Sequence, residues 1–207
     1  WRVIEDALRS GVGPEACYLD VLGGALAGLD GSDDHVDGYL ASAVALRLVA
    51  RLGARFRRPG RTRGTVLVAA PVGEQHALSI AILADLVRLR GVRCAELGVD
   101  VPADVVAAAA ANESRLRLVA LGVNRLESAD AVSAVAAALR STCPGVPVLV
   151  GGQGVRNQQV AAALGADHWA PDLRGALAVI DDLVNTPARR HRAVGPEPDA
   201  AGAVPRG

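Results

Sequence analysis

The pattern of apolar and polar positions changes character near residue 60. Before that point apolar residues recur at helical spacing in three segments, 3–10, 14–29 and 35–56. The second segment begins with a proline, and an acidic, serine-containing stretch precedes the third; both are typical helix starts. We therefore predict a helical bundle over 1–58. A four-helix bundle would need one further helix, from upstream sequence or from another chain.

From Thr65 onward, short β-rich runs alternate with Ala- and Leu-rich helical patterns. Strands are predicted over 65–70, 93–98, 117–123, 147–152 and 167–170. Helices are predicted over 75–89, 103–111, 129–139, 158–164 and 173–184. Strict alternation of strand and helix is typical of parallel strands joined by right-handed crossovers, with helices on both faces. The expected fold class is α/β, with a five-stranded, doubly wound, flavodoxin- or Rossmann-like domain over 65–184.

Two segments fall outside these units. We interpret 59–64 as a linker between the bundle and the α/β domain. The Pro-, Gly- and Ala-rich stretch over 185–207 has no apolar periodicity, so we expect a disordered tail.

Charge and composition exclude several classes of function. The 22 basic residues are all arginine and are balanced by 22 acidic residues, so no global field attracts nucleic acid or membrane. The absence of lysine excludes a Walker-type phosphate loop and Schiff-base chemistry within this chain. Three widely separated cysteines suit a reducing compartment, which predicts a cytoplasmic protein. The longest uncharged run, 141–155, is too short and too broken to span a bilayer.

Three turns should meet at one edge of the predicted sheet, because ligands of open parallel sheets bind at the carboxyl ends of the strands. The first of these turns, "PVGEQHALS", carries Glu74 and His76 where a phosphate site would carry glycines. A neutral imidazole can ligate a metal through one nitrogen while the other donates to a carboxylate. A histidine after a strand is more often a turn or core residue, and the other histidines are scattered. A single histidine ligand suits a metal that a macrocycle already holds, as in haem or a corrinoid.

The spacing of these turns resembles the fingerprint of the cobalamin-binding domain family, (D/E)xHxxG, SxL and GG at set intervals. The stretch from Glu74 to Ser79 matches the first element, with serine in place of the final glycine. The intervals are 41 residues over 80–120 and 27 residues over 124–150. The matching positions of the second and third elements are Leu121, Val123, Gly151 and Gly152.

The resemblance implies a cobalamin, as adenosylcobalamin or another form, with His76 as the lower axial ligand of cobalt. It implies that Glu74 orients His76, that Gly73 shapes the same turn, and that the GG pair lets the nucleotide tail approach the backbone. The family's SxL serine is replaced by Leu121, which would remove a hydroxyl that hydrogen-bonds the buried base.

The helical module resembles that of the cobalamin-binding photoreceptors more than that of corrinoid methyl carriers. In those receptors a tryptophan and a Glu-His pair cap the upper face of the cofactor; here Gly28, Gly38 and Tyr39 occupy these positions. The substitutions would open a cavity above cobalt, in which a second chromophore, biliverdin, could bind as in the photocobilins. The predicted function is a cobalamin-binding light sensor. The alternatives are a corrinoid methyl carrier, a mutase subunit and a domain that has lost its cofactor.

The remaining expectations concern chemistry and partners. The chain lacks a convincing nucleophile, base and oxyanion set, so we do not predict an enzyme. It shows no helix-turn-helix, so any contact with DNA would need sequence or partners outside this chain. A homo-oligomer is expected by analogy with the photoreceptors alone.

Overall fold

The computed structural model describes residues 1–24, 35–56 and 62–186. Five strands form one sheet: β1 (Thr65–Pro71), β2 (Arg93–Val101), β3 (Leu116–Gly122), β4 (Val148–Gly151) and β5 (His168–Ala170). Their order across the sheet is β2-β1-β3-β4-β5, and every neighbouring pair is parallel. The predicted doubly wound α/β class is confirmed.

The helices of the α/β unit follow the strands in alternation. They are α4 (Ala77–Leu89), α5 (Ala103–Ala111), α6 (Ala129–Thr142), α7 (Gln158–Ala163) and α8 (Leu173–Asn185), with a short 3₁₀ turn over Leu126–Ser128 before α6. The bounds of α5 coincide with the predicted ones. The helix α8 reaches Asn185, the first residue of the expected tail, and 187–207 lie outside the described residues.

Three helical segments precede the sheet. They are α1 (Arg2–Arg9), α2 (Pro14–Ala16) with its π-helical continuation Cys17–Leu22, and α3 (His35–Phe56). The range of α3 coincides with the prediction, whereas the second predicted helix is only partly α-helical and its end lies outside the described residues. The first half of the expected linker, 59–61, also lies outside them.

Alternation along β1 divides the buried residues into two cores. Val66, Val68 and Ala70 face α4 and α8, while Leu67 and Ala69 face α5 and α6. The module of α1 to α3 packs on the first of these faces, and its buried contributors are Ile4, Cys17, Tyr18, Leu22, Val49 and Leu52. The module and the α/β unit therefore share one hydrophobic core.

Polar contacts fix the module against α4. The Tyr18 hydroxyl donates to Asp85 (2.9 Å), and a β-carbon on Gly53 would lie 2.3 Å from the same carboxylate. Burial, with Asp85 beside it, raises the pKa of Tyr18, so the phenol stays a donor. Arg90 pairs with Glu15 of α2 (2.7 Å). Among the described helices, none has the length and apolar character that crossing a membrane requires.

Candidate functional site at the carboxyl edge of the sheet

The turn between β1 and α4 is held by hydrogen bonds within the turn and from β2. Gly73 has φ +85°, a backbone region that favours glycine, and the Glu74 N–H donates to the Pro71 carbonyl (3.0 Å). The Gly73 N–H donates to the Asp100 carboxylate (2.8 Å), and the Asp100 N–H donates to the Glu74 carbonyl (3.0 Å). Asp100, at the end of β2, itself has φ +56°. Gly73, one of the predicted site residues, therefore lies where Asp100 of β2 holds the turn through a hydrogen bond.

The Glu74 carboxylate is buried and fully occupied with hydrogen bonds. One oxygen accepts from the backbone N–H groups of Asn124 (2.6 Å) and Arg125 (3.0 Å). The other accepts from the His76 N–H (3.1 Å) and contacts His76 Nδ1. Burial alone would raise the pKa of Glu74, but the hydrogen bonds from the His76 ring and from the three backbone groups outweigh it and lower that pKa. Glu74 is thus an anion at neutral pH.

This carboxylate sets the chemistry of the histidine. The ionised Glu74 carboxylate accepts a hydrogen bond from His76 Nδ1–H. In this tautomer the imidazole carries its free lone pair on Nε2. The His76 side chain is 56% exposed, whereas that of Glu74 is 1% exposed. An imidazole fixed at one nitrogen and open at the other is suited to ligating a metal from one side. In the described ranges, no group of three or more His, Cys, Asp or Glu side chains could hold a metal ion.

A cavity of about 510 Å³ lies beside this turn, between α4, the carboxyl ends of β3 and β4, and α8. Four predicted site residues line it: Ser79, Leu121, Gly151 and Gly152. A β-carbon on Gly152 would lie 2.3 Å from the Val123 carbonyl, and φ is +108° there, so only glycine fits. Leu19 and Gly23 of the helical module form part of the wall. The motif positions that are far apart in sequence therefore come together.

Two of the predicted residues, Leu121 and Val123, have side chains on the other face of the sheet. These side chains pack into the core with α5 and α6. Because side chains alternate along a strand, the residues of β3 that face the cavity are Ala120 and Gly122. Leu121 borders the cavity, but its side chain lies on the opposite face of the sheet. A serine at this position would therefore not place its hydroxyl on the cavity floor.

Asn124 is a site residue that the motif did not indicate. Besides its N–H bond to Glu74, its side-chain amide lies 3.5 Å from both the Ser79 hydroxyl and the Gln153 N–H. It therefore joins the turns after β1, β3 and β4. Its place directly after the predicted third strand is the signal that could have found it, because polar residues there meet the other turns.

The predicted residues of the helical module are only partly described. Gly28 lies outside the described residues. Gly38 and Tyr39 belong to the first turns of α3, where Gly38 is exposed and a β-carbon on it would meet nothing within 4 Å. Leu40 and Val44 of the same helix are 59% and 53% exposed. A larger groove of about 780 Å³ between α3 and α4 contains none of the predicted site residues.

The family model of the B12 binding domain matches residues 64–178, more than half of the chain. That range contains the turns after β1, β3 and β4 and the whole α/β unit as far as α8. No curated protein matches the chain.

Three solved structures share the fold at low sequence identity. The monomethylamine corrinoid protein of Methanosarcina barkeri aligns with a TM-score of 0.73 at 16% identity, over 88% of this chain and 89% of that one. A novel cobalamin-binding protein from Desulfitobacterium hafniense DCB-2 gives 0.54 at 16% identity, over 88% and 89%. The methanol:cobalamin methyltransferase complex MtaBC of M. barkeri gives 0.57 at 21% identity, over 88% and 72%. These likenesses extend over the helical module as well as the sheet.

Proposed function

Because this chain belongs to the B12 binding domain family, we propose that it binds a cobalamin with His76 as the lower axial ligand of cobalt. The observation that carries the proposal is the pair formed by the buried Glu74 carboxylate and the half-exposed His76 ring. Glu74 fixes the tautomer, and His76 offers Nε2 at the edge of the sheet where the glycines of the third turn lie. Ser79, Gly151 and Gly152 would border the nucleotide tail in the neighbouring cavity.

The residues present fit this cofactor. Gly151 and Gly152 keep their part of the cavity wall free of side chains, and the Glu74 carboxylate beside the histidine is occupied by hydrogen bonds. Among the described residues no cluster of three or more ligating side chains competes for a free metal ion. A bound cobalamin supplies a cobalt centre with an exchangeable upper ligand. The chain's own contribution is to ligate the lower face, to orient the ligand through Glu74 and to bury the tail.

For the physiological role we propose a corrinoid carrier, whose cobalt stays accessible to a partner enzyme. Within the part of the chain that the structure describes, glycine at position 38 leaves open space on α3, and Leu40 and Val44 of the same helix are exposed. In the photoreceptors that the module resembles, this region holds bulky capping residues. The relatives of known structure include a corrinoid protein and a methyltransferase complex that share both parts of the fold, which agrees with this role.

A light sensor is the second candidate function. The open space beside Gly38 favours this function if a linear tetrapyrrole such as biliverdin occupies that space. Both roles use the same lower ligand, so they differ only above cobalt. The carrier predicts that biliverdin is not taken up and that illumination changes only photolabile alkyl forms, as it does for free cobalamin.

The lower ligand is tested by electron paramagnetic resonance of the Co(II) form. Protein labelled with ¹⁵N-histidine should show coupling of cobalt to one ¹⁵N nucleus. The coupling should vanish in His76→Ala and persist in His168→Ala, a matched control at the amino end of β5. Coupling that survives in His76→Ala would overturn the assignment.

The role is tested on the same holoprotein. Biliverdin is added, the visible spectrum is recorded, and the sample is illuminated at several wavelengths. An unchanged bilin spectrum, together with methyl transfer from the methylcobalamin form to a thiol acceptor in the dark, supports the carrier. A shifted bilin band with a light-dependent cobalamin band would replace it by the light sensor.

A further inference from the structure

The cavity beside His76 is divided into an apolar floor and a polar rim. The almost fully buried lining residues whose side chains lie on the cavity face of the sheet are all apolar: Ile80, Leu83, Ala120, Leu149 and Ala176. The polar lining residues are all partly or largely exposed: Ser79, Asn124, Gln153, Asp172 and Arg174. A ligand that fills the cavity therefore meets hydrocarbon at its inner end and polar groups only near its mouth.

Four of the five polar side chains of the rim, those of Ser79, Asn124, Asp172 and Arg174, already contact other groups of the protein, and Gln153 does so through its backbone N–H. The Asp172 carboxylate accepts from the Gly175 N–H (2.7 Å) at the start of α8. Arg174 pairs with Asp20 of the helical module, and Asn124 lies between Ser79 and Gln153. None of these contacts directs a side-chain donor or acceptor toward the floor.

The backbone of the floor is likewise engaged within the sheet. Ala120 pairs with Leu149, and Gly122 pairs with Gly151, in the parallel ladder between β3 and β4. A polar atom on the inner end of a ligand would consequently lose its water without gaining a hydrogen bond from these strands. Unpaired polar atoms of this kind are costly to bury.

We propose that this cavity selects corrinoids by the base of their nucleotide tail, favouring an apolar aromatic base such as dimethylbenzimidazole over a purine such as adenine. The inference rests on the proposed function, since it assigns the cavity to the tail. Adenine would bring an amino group and additional ring nitrogens to the apolar floor, whereas the methyl groups of dimethylbenzimidazole match it. Ala120 is the floor residue at which we test this preference, because it lines the cavity and a small polar substitution can be made there.

The test compares three probes on the intact protein by equilibrium dialysis with absorbance detection. They are cobalamin, its analogue with an adenine base, and cobinamide, which has no base. Cobalamin should bind about 10-fold or more tightly than the adenine analogue, the size expected for a buried polar group left unpaired. Equal or reversed affinities would overturn the proposal.

Cobinamide separates this inference from the proposed function. If cobinamide binds as tightly as cobalamin, the tail does not enter the cavity, and the base selectivity fails even if His76 ligates cobalt. If no probe shows the histidine coupling described above, the proposed function itself fails.

A variant pair localises the effect. Ala120→Ser places a hydroxyl on the floor and should reduce the preference for cobalamin over the adenine analogue by several-fold. Ala161→Ser makes the same change at a buried site of α7, in the other core, and should leave the preference unchanged. An unchanged preference in Ala120→Ser would remove the floor as its cause. If Ala120→Ser does not fold, the ratio of the affinities for cobalamin and for the adenine analogue, measured on the unaltered protein, still tests the proposal.

Discussion

The turn after β1 and the first turns of α3 contain the residues that would lie on opposite faces of a corrin, and they differ in how firmly they are held. In the turn, Glu74 accepts four hydrogen bonds and Asp100 braces Gly73 from the neighbouring strand. On α3, a β-carbon on Gly38 would meet nothing within 4 Å among the described residues, and Leu40 and Val44 are largely exposed. The proposed lower site is preorganised, whereas the described part of the proposed upper site is open. Ligation of a cofactor should therefore depend on the turn after β1, and exchange of its upper ligand on the start of α3.

The largest effect is expected from Glu74→Ala. The change leaves the backbone N–H groups of Asn124 and Arg125 and the His76 ring without their acceptor, so the free energy of unfolding should fall by about 3 kcal/mol. Urea unfolding of the cofactor-free protein measures it. Glu74→Gln keeps one acceptor oxygen and should lose less; equal losses for the two variants would contradict the role of the acceptor oxygens.

Gly152→Ala comes next, with an expected loss of about 2 kcal/mol or more. The residue needs a positive φ, and the added carbon would collide with the Val123 carbonyl. The measurement is again urea unfolding, together with cobalamin binding. Gly24→Ala, at a helical glycine with nothing within 4 Å, is the matched control and should not destabilise. Similar losses in both variants would show that the close approach of the third turn does not matter.

Gly53→Ala should cost about 1 kcal/mol, because the new β-carbon forces the Asp85 carboxylate away from Tyr18 and Arg88. The damage lies between α3 and α4, so limited proteolysis should cleave the module faster. The histidine coupling of the Co(II) form should stay as in the unaltered protein. Loss of that coupling would show that ligation by the turn after β1 depends on the packing of the helical module.

The smallest effect on stability is expected for Gly38→Trp, within about 0.5 kcal/mol, because the site is exposed. The added ring should slow replacement of the upper cobalt ligand by cyanide, followed by absorbance in a stopped-flow instrument. Gly38→Ala is the control and should exchange as the unaltered protein does. An unchanged rate in Gly38→Trp would place the start of α3 away from cobalt.

Much of the fold was predictable, because apolar periodicity reports directly on strands and helices. The predicted and observed ranges of α3 and α5 coincide, and strict alternation indicated a parallel sheet. Two motif intervals also brought Ser79 and Gly152 to one cavity. Spacing along the chain identifies which turns meet, because parallel strands all end at the same edge.

The parts that were not predictable depend on contacts between distant segments. Counting along the sequence reached the correct turn at Leu121, but the face it occupies depends on strand alignment, and a shift of one residue reverses it. The role of Asn124 depends on a backbone N–H that meets Glu74 across the sheet edge. The π-helical continuation of α2 over Cys17–Leu22 gives no distinct pattern, because its apolar residues also suit an α-helix.

The wall that Leu19 and Gly23 contribute to the cavity makes the helical module part of the surface that we assign to the nucleotide tail. A ligand in that cavity would bury area against this part of the module and against the sheet together, so it would stabilise their docking. By reciprocity, any event that lifts the module away must weaken the hold on the ligand by the same free energy. A partner protein that lifts the module would thus also weaken cofactor binding. The binding of the partner and the binding of the cofactor would have to be measured together.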